Sequence, residues 1–193
     1  MSLINDTSGQ AHPYWYEWFV GLIEVVKLLN RDERIEQVAF QVASIQGWDD
    51  VVVTHANGKR LYQVKHTRKE NNLTFRRLVE VDDKGNSLLG SLIEGAKTSG
   101  LIVPKNVLVL YTNREGGGRW SQRGNGDRRP PLLEFWSWLK TELETKELAD
   151  ITVPPVDDEK LDYSAAWAEC VACFKGDENE ATKFLRQLTI RTF

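Results

Sequence analysis

The chain has 193 residues, of which 41% are hydrophobic and 27% charged, and a formal net charge of −3. These values describe one globular domain with a sizeable core. No apolar run approaches the ~18 residues of a membrane span, and the opening MSLINDTSGQ has no basic start followed by an apolar stretch. A cytoplasmic protein with neither membrane partner nor signal peptide is expected.

In chain order, PYWYEWFVGLIEVVKLL predicts a helix over 13–29, with Pro13 in its first turn. Tyr14, Trp18, Leu22, Val25, Val26 and Leu29 recur at helical spacing, which predicts that most of this helix is buried. Glu17 and Glu24 stand seven apart and share a face. IEQVAFQVASI, residues 35–45, reads as a strand. WDDVVVTHANGKRLYQVKHT then carries Asn57-Gly58 between two β-type runs, a strong hairpin signal. With the turn at those two residues, Ala56 pairs with Lys59, Val53 with Tyr62, Val52 with Gln63 and Asp50 with Lys65. Alternation then puts Asp50, Val52, Gln63 and Lys65 on one face and Asp49 on the other.

Residues 73–83 fit no single period. LLGSLIEGAK predicts a helix over 88–97, and VLVLYT, 107–112, a buried strand. The Gly- and Arg-rich stretch NREGGGRWSQRGNGDRRPP is a loop. Its GGG lacks the pattern of a phosphate-binding loop. Three further helices are predicted, at 132–147, 163–174 and 178–190. The order of elements is that of a mixed α/β layer arrangement. Cys170 and Cys173, three apart on the second of these helices, read as packed thiols.

Charge is unevenly distributed. Between Asn57 and Leu78 stand Lys59, Arg60, Lys65, Arg68, Lys69, Arg76 and Arg77 against Glu70 alone. A second basic stretch holds Lys105, Arg114, Arg119, Arg123, Arg128 and Arg129 against Glu115 and Asp127. Local positive potential attracts a phosphate backbone even where the net charge is negative. The Arg114–Arg129 loop and the segment holding Arg68 and Lys69 are therefore expected to grip a DNA backbone, positioning it without reading sequence. Trp120 anchors this loop or stacks on DNA. His12, His55 and His66 read as packed or surface side chains.

The predicted face at Asp50, Gln63 and Lys65 has two readings. One is a cross-strand ion pair between Asp50 and Lys65. The other is a site for phosphodiester hydrolysis. That chemistry needs a hard divalent cation on oxygen ligands and positive charge where the phosphoryl oxygens develop charge. Asp50 offers a carboxylate, Gln63 an amide oxygen, Val64 a backbone carbonyl and Lys65 an ammonium. Glu17, in the aromatic stretch YWYEWF, offers a second carboxylate.

The order of a first-helix Glu, an Asp on the second strand and QxK on the third resembles the PD-(D/E)xK restriction-endonuclease-like superfamily, in its QxK variant. SGQAHPYWYEWFVGL, WDDVVV, YQVKHTR and VLVLYTNR, spanning roughly residues 8–114, are together similar to the N-terminal double-stranded DNA endonuclease domain of bacterial anti-phage effectors, with a weaker echo at KFLRQLTI. The resemblance implies a three-stranded mixed core with flanking helices, dependence on Mg²⁺ or Mn²⁺, and cleavage of double-stranded DNA. By position Glu17, Asp50, Gln63 and Lys65 match its catalytic residues. Gln63 stands where an acid is usual, which removes one negative charge from the metal site. The resemblance further implies that residues 1–193 form a single nuclease domain, the N-terminal part of a longer effector with a C-terminal sensor, regulated through assembly into a homo-oligomer. The competing reading is a catalytically inactive nuclease-fold module for DNA binding or oligomerisation.

Overall fold

A computed structural model describes residues 8–66, 73–112, 130–146, 150–151, 162–174 and 178–192, with the side chains of 8–13 and 178 left aside. The order is α1 (Ser8–Lys27), β1 (Ile35–Phe40), β2 (Val51–His55), β3 (Gly58–Lys65), α2 (Phe75–Val79), α3 (Leu88–Thr98), β4 (Val107–Thr112), α4 (Leu132–Thr145), α5 (Tyr163–Ala172), α6 (Glu178–Gln187) and β5 (Leu188–Thr192). The strands form one sheet in the order β1-β2-β3-β4-β5. β2 runs antiparallel to its neighbours β1 and β3, while β4 is parallel to β3 and β5 to β4. The core is thus a mixed sheet of five strands, two more than the three that the resemblance implies.

Alternation along the central strands builds two apolar layers. Val52, Leu61, Leu108, Leu110, Leu188 and Ile190 point into a large core with side chains from α2 to α6. Val51, Val53, Tyr62, Val64 and Val109 point the other way, into a small layer that meets Val20 of α1. Phe135 sits deep in the large core, with its ring edge-on to Phe75 at 4.8 Å. Cys170 is buried and Cys173 half-buried, both as free thiols, and burial raises the pKa of both.

Three sequence expectations need correction. The hairpin closes at His55↔Gly58, so its two loop residues are Ala56 and Asn57, not Asn57 and Gly58. Gly58 is a strand residue. The position where a Cβ would stand is taken by the Lys105 carbonyl, and the neighbouring Lys59 N–H donates to Asn106 Oδ1 at 3.0 Å. The glycine serves the close approach of the β4 entry, not a turn of positive φ. The register therefore pairs Val52 with Leu61, two residues away from the expected pairing with Gln63. A shift of two preserves every face.

The second correction concerns the C-terminus, where the helix predicted over 178–190 stops at Gln187. Leu188–Thr192 becomes β5, which satisfies the free edge of β4 while Leu188 and Ile190 enter the large core. The third is α1, predicted to be mostly buried. It starts at Ser8, five residues before Pro13, and it meets the sheet along a narrow line. Val20, Gly21 and Glu24 face inward, and Gly21 lies so close to the Phe40 ring that a Cβ would overlap it. Trp15 and Leu29 are 69% and 86% exposed. β1 stops at Phe40, well short of the strand predicted over 35–45; the other elements fall within a few residues of expectation, and the ambiguous 73–83 stretch supplies α2, capped by Thr74, whose hydroxyl accepts from the Arg77 N–H.

Candidate active site

Antiparallel pairing brings the start of β2 beside the end of β3, so residues just before Val51 meet residues after Tyr62. Asp50 immediately precedes β2. Continuing the register places it opposite Gln63, with Lys65 two residues further along the same face. The expected Asp50–Lys65 pairing is thus replaced by Asp50–Gln63, while the shared face stands.

The 41–50 connection is held on two sides. Gln41, in the left-handed region at φ 48°, ends β1, and its backbone N–H donates to the Asp50 carbonyl at 3.1 Å. Val42 N–H donates to the Asp49 carbonyl at 2.8 Å. Trp48 is fully buried and its indole N–H donates to the Leu92 carbonyl of α3 at 2.8 Å. Gly95 of α3 permits this, since a Cβ there would collide with the Gln46 carbonyl. Trp48, two residues before Asp50, thereby fixes where the carboxylate begins.

Asp50 is buried and receives two hydrogen bonds, both on Oδ2. One comes from the Val64 N–H at 2.6 Å and one from the Gln63 side-chain amide. Among the described residues Asp50 Oδ1 and Gln63 Oε1 accept no hydrogen bond. Burial raises the Asp50 carboxyl to about 6, against 3.8 for an exposed one. The Val64 N–H and the Lys65 charge work in the opposite direction, while the negative charges of Glu17 and Asp49 add to the rise. Glu17 is therefore near enough for its field to act on Asp50, and its Oε2 accepts from the Gln41 side-chain amide at 3.2 Å. Lys65 is exposed.

The structure thus brings together Asp50, Gln63, Val64 and Lys65, with Glu17 close by on α1. Gln41 and Trp48 are the positioning residues that the sequence reading missed. Trp48 carried a signal, standing immediately before the acidic pair, whereas nothing local announces the backbone turn at Gln41. His66 stacks on Tyr16 with ring centroids 3.7 Å apart, and His55 Nδ1 lies 3.3 Å from the Glu33 carbonyl, both packed as expected. The side chain of His12 is not among those described. Arg68, Lys69, Arg114, Arg119, Arg123, Arg128 and Arg129, with Trp120, lie outside the described residues.

Two oxygens that accept no hydrogen bond among the described residues, one on a carboxyl group whose proton is held by burial and neighbouring acids, suit a hard cation. Among the described residues no three His, Cys, Asp or Glu side chains cluster as a ready-made metal cage. A cation here would rest on few protein charges and keep several waters, as Mg²⁺ commonly does.

A helix-flanked mixed sheet, with this polar cluster where the second and third strands meet, is a restriction-endonuclease-like core. The chain belongs to the family of Cap4 dsDNA endonuclease domains, whose model matches residues 8–110. The matched span contains Glu17, Asp50, Gln63 and Lys65 and ends within β4. Neither a curated protein nor a solved structure matches the chain. Among the described residues no helix is long and apolar enough to cross a membrane.

Proposed function

We propose that the domain is a metal-dependent endonuclease that hydrolyses double-stranded DNA with little sequence preference, as the effector part of a bacterial anti-phage protein with a separate sensor. The observation that carries this reading is the Asp50 carboxylate. It is buried, raised to about 6, and set beside a neutral amide and an ammonium on one face. A purely structural aspartate in such a place would be expected to have its charge met by a cation within hydrogen-bond reach. Membership of an endonuclease-domain family supports the same reading.

Asp50 Oδ1, Gln63 Oε1, the Val64 carbonyl and Glu17 are the groups offered to Mg²⁺ or Mn²⁺. A bound cation supplies positive charge to the phosphoryl oxygens and acidifies water. The chain's own residues do the remainder. Lys65 donates a hydrogen bond to the oxygen of the attacking water and adds positive charge where the pentacoordinate phosphorus builds negative charge. Asp50, fixed through Oδ2 by Val64 and Gln63, presents Oδ1 in one orientation. In the overall step the water oxygen bonds to phosphorus as it gives up a proton to solvent, one ester P–O bond breaks, and the departing alkoxide oxygen takes a proton from solvent to leave as a hydroxyl. The basic segments around Arg68 and Arg114–Arg129 are assigned to the DNA backbone on composition.

The test is conversion of supercoiled plasmid in Mg²⁺ or Mn²⁺. The wild-type chain is expected to nick and linearise it, with loss in EDTA. Asp50→Ala and Lys65→Ala are each expected to be slower by roughly 10²–10³-fold or more, the scale of losing one charge-stabilising group. Equal nicking by wild type and both variants would defeat the proposal. The second reading, an inactive nuclease-fold module, is favoured by the absence of a three-residue acidic or His/Cys cluster among the described residues. It predicts salt-sensitive DNA binding with no metal-dependent product.

A further inference from the structure

Helix α1 has a second face that the site does not use. Tyr14, Trp15, Trp18, Leu22, Val26 and Leu29 are all more than half exposed. Trp15, Leu22 and Leu29 recur every seven residues, with Trp18 and Val26 between them, so they form one stripe along the helix. The helical turn continues past Lys27, with the Leu29 N–H donating to the Val26 carbonyl at 3.1 Å, so Leu29 extends that stripe. Together the six side chains expose on the order of 700 Å². That is larger than a typical monomer's largest apolar patch. It is of the same order as the ~800 Å² that each partner contributes to a stable interface of standard size.

We infer that this face is a self-association surface, on which α1 of a second copy lies antiparallel about a two-fold axis at Leu22. The stripe is tapered, with large aromatic side chains at Trp15 and Trp18 and smaller aliphatic ones at Val26 and Leu29. Antiparallel pairing about Leu22 sets Trp15 against Leu29 and Trp18 against Val26, large against small on either side of the Leu22 pair. Parallel pairing would set tryptophan against tryptophan and leave gaps at the other end. The antiparallel arrangement also opposes the two helix dipoles, and it is isologous, as closed dimers require. A lipid surface is the poorer occupant. Between Tyr14 and Asn30 the charged residues are Glu17, Glu24 and Lys27, with none of the Lys/Arg enrichment of helices that lie on anionic membranes.

Pairing has a consequence that rests on the nuclease reading. Glu17 stands five residues, about 7.5 Å along the axis, from Leu22. A two-fold pair thus holds its two candidate sites at a fixed offset, suited to cutting both strands of one duplex.

Sedimentation equilibrium of the whole chain tests the pairing without reference to cleavage. A dimer dissociating at about 10 µM or tighter is expected. Leu22→Glu, which sets like charges on the axis, and Leu29→Glu are each expected to weaken it roughly 100-fold. Both positions are exposed, so far-UV circular dichroism and the urea midpoint should match wild type. A wild-type chain that stays monomeric at about 100 µM overturns the inference, as does a dimer indifferent to both substitutions. Monomers that bind uncharged phosphatidylcholine vesicles through this face overturn it in favour of lipid. A wild-type dimer that leaves plasmid intact supports the pairing and sinks the nuclease reading alone. With activity present, Leu22→Glu should lower the ratio of linear to nicked product at least several-fold.

Discussion

Two buried carboxylates sit about the same three strands, and their surroundings treat them in opposite ways. Glu24 of α1 lies toward the hairpin end. Its Oε1 accepts from the Tyr62 hydroxyl at 2.6 Å and from Lys27 Nζ at 2.7 Å, and Arg60 stands 3.7 Å from Oε2. Burial alone would raise its pKa, yet the bonds from Lys27 and Tyr62 and the charges of Lys27 and Arg60 overcome this and hold it below the ordinary value. Asp50, at the other end of β2, is raised instead, because burial and two nearby acids outweigh one backbone N–H and the Lys65 charge. Comparable burial with opposite outcomes separates a carboxylate that ties a helix to a sheet from one kept ready for a cation.

Breaking the tie should have the largest effect. Glu24→Ala leaves Arg60 and the Tyr62 hydroxyl facing a void with no anion, the circumstance in which losing one partner of a buried pair costs about 3 kcal/mol or more. Urea titration at pH 7 should show that loss. The group's pKa is lowered in the folded state, so its stabilisation is present above the unfolded value of 4.5 and is lost as the pH falls through the lower folded value. The gap between wild type and Glu24→Ala should therefore narrow in acid. A gap independent of pH would make Glu24 a packing residue and dissolve the contrast with Asp50.

Asp50→Asn should act in the other direction, stabilising the domain in metal-free buffer. The folded domain holds the Asp50 proton more tightly than the unfolded chain does, about 6 against 3.8. The stability so gained is complete below about pH 3.8 and is lost as the pH rises through about 6. Ionised Asp50 thus weighs against folding by on the order of 2–3 kcal/mol at pH 7–8. Asparagine keeps an acceptor for the Val64 N–H and carries no charge, so its urea midpoint should exceed that of wild type at pH 8 and converge with it near pH 4. A variant no more stable at pH 8 would mean that Asp50 is already compensated, and would remove the argument for a cation.

Much of this contrast was legible in the sequence, and the failures have physical causes. Period-2 alternation in WDDVVV and RLYQVK put Asp50, Gln63 and Lys65 on one face, and that result survived a register error because the error was two residues, a whole period. The turn was misplaced because Gly58 answers to the Lys105 carbonyl just before β4, a contact distant in sequence. β5 was read as the end of a helix for the same kind of reason. LRQLTI suits either period, and the open edge of β4 decides for a strand. The burial of α1 was misjudged because helical spacing reveals an apolar stripe without saying what covers it; the small layer takes Val20, with Gly21 and Glu24 buried on the same side, and Trp15 and Trp18 stay exposed. Glu24 was visible only as a helix-mate of Glu17. Its partners Tyr62 and Arg60 sit on a strand roughly forty residues away, and pairing across that distance belongs to the fold.

The smallest effect joins the two carboxylates to the proposed chemistry. A ligand that binds only the folded state stabilises it by RT ln(1 + [L]/Kd), about 1.4 kcal/mol at ten times Kd. Mg²⁺ titrated into the wild-type chain at pH 8, with no DNA present, should raise the urea midpoint by that order. The ion must displace the Asp50 proton, so the gain should fade as the pH drops below about 6. Glu24→Gln should leave the gain intact, since Glu24 already has its cations, whereas Asp50→Asn should remove it. If both variants respond to Mg²⁺ as wild type does, the ion binds elsewhere and the end of the sheet at Asp50 differs from the end at Glu24 in charge alone. If only Asp50→Asn fails to respond, the unused oxygens of Asp50 and Gln63 are the ones the cation takes, and the raised carboxyl is the mark of a site built to be completed by it.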